Sequence, residues 1–154
     1  WHCDNAYSGK KDVTTFLNPE DFSIKFFFYL SNVYPDNGCL SYIAKSNKVT
    51  YALRKGIYEK KIKYSPYWSL VDLRNKITEK ETIKYIKNFV NDEDIEEFLS
   101  QANLVISNNY NTKKYDQTID KGGAIVFDES GIHRGSATRF SSRLALRFFF
   151  KKIT

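Results

Sequence analysis

The 154-residue sequence has no methionine, two histidines, two cysteines and three prolines. Each scarcity removes a class of protein. Two cysteines, Cys3 and Cys39, build no disulfide framework of the kind that staples small secreted domains. They suit a reducing compartment, so a cytoplasmic location is expected. No stretch approaches the roughly 18 consecutive apolar residues of a membrane span, and no secretory leader is visible; no membrane partner is expected. Neither an internal repeat nor a low-complexity linker interrupts the chain. The missing methionine points to processing or to a sequence that begins inside a longer chain.

What is present argues for a packed domain. Hydrophobic residues make up 42% and aromatics 16%, far above the composition of a disordered chain, and the length suits one core rather than two. The formal charge is +6, but the lysines are scattered. Their densest group is Lys60, Lys61 and Lys63, flanked by Tyr58 and Tyr64. Basic and aromatic residues together can bind single strands. A solvated lysine-rich surface explains them more simply, and nucleic acid is not expected as a partner.

FSIKFFFYL, Phe22 to Leu30, is short, aromatic and free of glycine and proline, which predicts a strand. YPDNG, Tyr34 to Gly38, is a dense turn signal, and CLSYIA after it reads as a second strand, giving a hairpin-like pair. TEKE, Thr78 to Glu81, has capping-box spacing. Asn91 opens a second helix start, with Asp92, Glu93 and Asp94 where the helix dipole favours acids. Helix-start chemistry accounts for that acidic run better than a metal cluster does. GGAIVFD and RLALRFFF return to strands. Strands at both ends around a helical excursion predict a mainly β, antiparallel sandwich or barrel carrying an insertion.

The opening stretch WHCDN carries the candidate chemistry. On a strand, residues i and i+2 point the same way, so His2 and Asp4 can converge on one cation while Cys3 faces away. The only other imidazole, His133, lies in GIHRGS. Two histidines and one carboxylate can form a facial triad that holds Fe(II) and leaves positions open for a cosubstrate and O2. Arg143 starts the last strand, and its guanidinium can grip a carboxylate bidentately.

On WHCDN, FSIKFFFYLSNVYPDNGCLSYIAKSNK and KGGAIVFDESGIHRGSATRFSSRLALRFFF, the chain resembles the phytanoyl-CoA dioxygenase family of Fe(II)/2-oxoglutarate-dependent oxygenases. The resemblance implies a double-stranded β-helix (a cupin-like jelly roll) whose N-terminal barrel strands are missing. It implies one oxygenase domain over residues 1–154 with a helical insertion near 74–103. His2, Asp4 and His133 become catalytic iron ligands, and Arg143 binds the far carboxylate of 2-oxoglutarate, with Arg147 and Arg139 as rivals and Ser136 as a further contact. Lys25 or Phe27 can line the cosubstrate pocket, although plain barrel positions explain both more simply. The implied activity is hydroxylation of a small-molecule substrate with O2. Where the family usually has Pro-Gly-Ser-His, this chain has Ala44-Lys45-Ser46-Asn47, so the substrate does not follow from the family. The alternatives are a non-catalytic cupin-like binding module and a nucleic-acid-modifying oxygenase. The oligomeric state is not legible.

Overall fold

The computed structural model describes residues 1–4, 18–20, 23–107 and 114–152. Asn5 of the opening stretch and Phe22 at the head of the first aromatic run lie outside the described residues. In chain order the elements are β1 (Ser23–Tyr29), β2 (Leu40–Tyr42), α1 (Ser46–Tyr58), α2 (Leu70–Ile77), α3 (Lys80–Ile86), α4 (Asp92–Ile106), β3 (Asp116–Gln117), β4 (Ala124–Asp128), β5 (His133–Gly135) and β6 (Ala145–Lys151).

The strands form two three-stranded antiparallel sheets, ordered β4-β1-β6 and β3-β2-β5. The aromatic run does make the central strand β1, with Phe26 opposite Val126 on one side and Phe148 on the other. The expected hairpin with CLSYIA does not form, because β4 and β6 occupy both edges of β1. The YPDNG turn instead carries the chain from one sheet to the other. Asp36 takes a left-handed φ of 61° there, and the Asn37 amide donates to the Tyr34 carbonyl at 2.9 Å.

Four helices fill the span between β2 and β3, starting well before the insertion expected near 74–103. The earliest, α1, buries Val49, Ala52, Leu53 and Ile57, a helical spacing. Gly56 lets this helix pack closely: a Cβ there would lie 2.5 Å from Ile62 Cδ1 and 2.9 Å from Tyr85 Cδ1. The TEKE capping box is not used. Thr78 closes α2, and Glu79 precedes α3 without a side-chain cap. The Asn91 start is used as expected, its side chain accepting from the Asp94 amide at 2.7 Å, with three acids in the first turn.

The larger hydrophobic core lies among the helices, around Leu53, Tyr67, Leu73, Ile77, Ile86 and Phe98. A smaller one, of Tyr29, Val33 and Cys39, packs with Phe27, Ile125 and Ala145 of the β4-β1-β6 sheet and with Ile119. These facts correct the jelly-roll expectation. Among the described residues no barrel closes: β6 ends its sheet, with Phe148, Phe149 and Phe150 left 47%, 48% and 60% exposed. The architecture is mixed α/β, because helix packing rather than sheet-on-sheet packing supplies most of the buried apolar surface. No helix among the described residues is long and apolar enough to cross a membrane.

Two outcomes follow from this packing. Phe98 is fully buried, so Phe98→Ala is expected to destabilise by about 3–5 kcal/mol, read from urea unfolding midpoints. Cys3 and Cys39 are free and buried. Burial pushes the Cys3 thiol up to about 12, with the Asp4 charge adding to it, and raises Cys39 in the same direction. At about pH 8 a thiol reagent should label neither cysteine until denaturant is added.

Candidate active site

The first residues enter the fold as a short extended segment. The His2 amide donates to the His133 carbonyl at 3.0 Å and the His133 amide returns to His2 at 2.8 Å. On the other side the Cys3 amide donates to Trp68, and the Asp4 amide donates to Glu129 at 2.9 Å. Alternation then sends Cys3 into the helical core, its thiol 3.5 Å from the Tyr67 carbonyl, while His2 and Asp4 turn the other way. The His2 ring stacks on Trp68, 5.0 Å between centroids and 21° between planes. His133, on β5, packs edge-on against Phe127 of β4.

The structure therefore brings His2, Asp4 and His133 together, with one potential ligand atom from each lying within 4.8 Å of the others. His2 Nε2 is 3.5 Å from Asp4 Oδ1, and His133 Nε2 is 3.6 Å from Asp4 Oδ2. His133 Nδ1 lies 2.8 Å from the Gly131 carbonyl. A carbonyl only accepts, so Nδ1 carries the hydrogen, and Nε2 of the neutral ring is an acceptor. It faces a carboxylate, which is also an acceptor. Both atoms offer a lone pair toward the same space, the arrangement that a metal ion takes as ligands. Binding the second imidazole nitrogen to a backbone carbonyl also suits a ligating histidine.

Two further charged groups complete the cluster. Lys25 of β1, 8% exposed, places its ammonium against Asp4 Oδ2 and 3.0 Å from Glu129 Oε2. Glu129, just past β4 and also buried, accepts from Ser23 Oγ. The His133 imidazole is the largest influence holding the Asp4 carboxyl well below the usual carboxylate range; burial opposes this and Lys25 reinforces it. Burial lowers the His2 imidazole, as does the neighbouring His133, with Asp4 working against both. The side chains of His2 and Asp4 are 31% and 30% exposed, so this edge of the cluster meets solvent while Lys25, Glu129 and His133 form its buried floor.

Lys25 and Glu129 are residues that sequence reasoning missed. Lys25 sits in an apolar run as though it were a surface position, and the usable signal was a lone lysine flanked by Ile24 and Phe26. Glu129 lies between two segments that each read as complete. Arg143 and Ser136 are not in the cluster. Arg143 Nη1 donates to the Gly38 carbonyl at 2.9 Å, and Ser136 Oγ lies 3.4 Å from Cys39 Sγ. Arg147 stacks over Phe149 at 4.8 Å. The acidic run at the start of α4 pairs with lysines: Asp94 meets Lys45 at 3.0 Å and Lys48 at 2.5 Å.

No curated protein and no solved structure matches the chain. The model of the MvaI/BcnI restriction endonuclease family matches residues 25–146, a span that contains Lys25, Glu129 and His133. This match overturns the phytanoyl-CoA dioxygenase resemblance, and with it the oxygenase activity, Fe(II) and 2-oxoglutarate as cofactors, and a small-molecule substrate with O2 as partners. Membership of the matched family implies DNA as the partner, against the expectation that nucleic acid is not one. The ligand role expected of Arg143 and Ser136 loses its cosubstrate. The two sheets and four helices fit a restriction endonuclease-like fold. The resemblance misleads because a His-x-Asp pair and a distant histidine describe a local ligand set, which different chemistries share. With most of its length inside the match, the chain belongs to the MvaI/BcnI restriction endonuclease family.

Proposed function

We propose that the chain hydrolyses phosphodiester bonds of DNA at the cluster of His2, Asp4, Lys25, Glu129 and His133. The observation that carries this reading is the Lys25 ammonium seated between the Asp4 and Glu129 carboxylates, beside two imidazoles, at the solvent-facing end of the first segment. Two carboxylates and a lysine supply the charges that phosphoryl chemistry needs, a cation-binding face and a donor for developing negative charge. The catalytic unit is one domain, since its residues come from the chain start, β1 and the β4–β5 turn. The free cysteines support a reducing, cytoplasmic setting.

Restriction endonucleases typically use Mg2+. Mg2+ takes oxygen ligands in a near-octahedral shell, whereas the donors that converge here are two imidazole nitrogens and one carboxylate oxygen. Mg2+ does not fit that set. The set suits a borderline divalent ion such as Mn2+ or Zn2+, with His2, Asp4 and His133 as ligands. Such an ion, when bound, polarises a phosphate oxygen and acidifies water.

The chain's own groups do the rest. With an ion held by His2, Asp4 and His133, Lys25 would stay paired with Glu129 at the floor of the site and donate to a non-bridging phosphate oxygen. Trp68, 45% exposed, fixes the His2 ring and offers its outer face to a base. The exposed Arg143 guanidinium and the Ser136 hydroxyl, at the far end of β5, add donors for the DNA backbone.

His133→Ala and Asp4→Asn are each expected to remove Mn2+ binding in calorimetry and to abolish nicking of supercoiled plasmid. Lys25→Gln should keep Mn2+ binding and slow nicking by about 10²–10³-fold. Burial and the neighbouring His133 lower the His2 imidazole, so it stays neutral and able to ligate further into acid than a free histidine. Mn2+ affinity should hold at neutral pH and fall only below the free-histidine range, about 6.5. A folded protein that leaves plasmid and linear DNA intact with Mn2+, Zn2+ and Mg2+ alike would rule out the reading.

A further inference from the structure

Arg54 lies on α1 and is only 4% exposed. Its Nη2 donates to the Pro19 carbonyl at 3.0 Å, while Nε is buried with no acceptor. Among the described residues no carboxylate pairs with this guanidinium. A buried cation without an opposite charge is costly to hold, and a guanidinium cannot shed its proton to escape that cost.

Arg54 borders a cleft of about 510 Å³, a size that suits a small ligand. Asn47, Tyr51 and Arg54 line it from one face of α1, at positions i, i+4 and i+7. Lys48, Phe89 and Ser130 lie around them. The acids that also border the cleft already have partners. Asp94 is held by Lys45 and Lys48, Asp128 accepts from the Ser130 amide and hydroxyl, and Glu20 accepts from Tyr51 and faces Lys152. Arg54 is left as the cation that a ligand would have to neutralise. Ser130 and Arg54 also line the small void that reaches Asp4, so the cleft adjoins the proposed active site without sharing its charged residues.

We propose that this cleft binds a nucleotide, its phosphate on Arg54 and Lys48 and its base against Tyr51 and Phe89. The planar donor fork of arginine matches phosphate oxygens, and an aromatic face accepts any base by stacking. That the anion is a nucleotide's phosphate rests on the nucleolytic reading; that the cleft takes an anion does not. The nucleotide is either free or part of a DNA strand beside the scissile position.

Calorimetric titration of the full chain tests this with dAMP, deoxyadenosine, inorganic phosphate and an eight-nucleotide single strand. The expected result is dAMP binding at least about tenfold tighter than deoxyadenosine, lost by about tenfold or more in Arg54→Gln. Tyr51→Ala should weaken dAMP and leave phosphate unchanged. Competition between the single strand and dAMP assigns the site to a strand, and its absence assigns it to free nucleotide. If circular dichroism shows Arg54→Gln unfolded, Lys48→Gln carries the test, because that side chain is 51% exposed and its loss should weaken dAMP severalfold. Equal affinity for dAMP and deoxyadenosine, no binding of either, or unchanged dAMP affinity in a folded Arg54→Gln or Lys48→Gln chain overturns the proposal. DNA cleavage without Arg54-dependent dAMP binding would remove this site alone. Arg54-dependent dAMP binding without DNA cleavage would leave it standing while the nucleolytic reading fell.

Discussion

The exchange of two backbone hydrogen bonds between His2 and His133 is the contact on which the rest of the site depends. It joins the first residues of the chain to β5, sets their register, and so decides which side chains point at one another. Cys3 anchors the same segment from below, buried among helix residues, and Asp4 hydrogen bonds to the turn that holds Glu129. A shift of one residue would send Cys3 into the cluster and both potential ligands into the apolar core.

Charge placement follows from that register. Asp4 has a lysine and two imidazoles within reach, which hold its carboxyl well below the usual carboxylate range. Glu129 shares the lysine, so the buried floor is close to neutral and can be held away from water. Arg54 shows the opposite balance: a buried cation with no matching acid among the described residues. The two sites lie on either side of Ser130, and their difference in charge is why one is read as binding a cation and the other an anion.

The helices hold this arrangement from the outside. Ser69 caps α2 by accepting from the Asp72 amide at 3.1 Å, which places the Trp68 carbonyl and ring beside the first segment. Helix α1 packs on α3 through Gly56 and presents Arg54 on its cleft side. The larger core is therefore part of the site's support.

Several features were legible in the residues themselves. The alternating and aromatic runs marked β1, β4 and β6, the Asn91 cap marked α4, and His2, Asp4 and His133 stood out as potential ligands. These are local properties, set by side-chain period and by hydrogen-bonding chemistry over a few residues. Sheet order, the missing hairpin, the inward aim of Lys25 and the partnership of Glu129 were decided by tertiary structure. Lys25 points to the site because both edges of β1 are paired, and its charge is tolerated there because acids from positions 4 and 129 meet it. Nothing within reach of Lys25 along the chain announces either acid. Composition and local pattern determined which segments could form strands, helices and ligand pairs; only long-range pairing decided which charges would face each other, because the free energy of a buried charge depends on partners that the chain brings from far away.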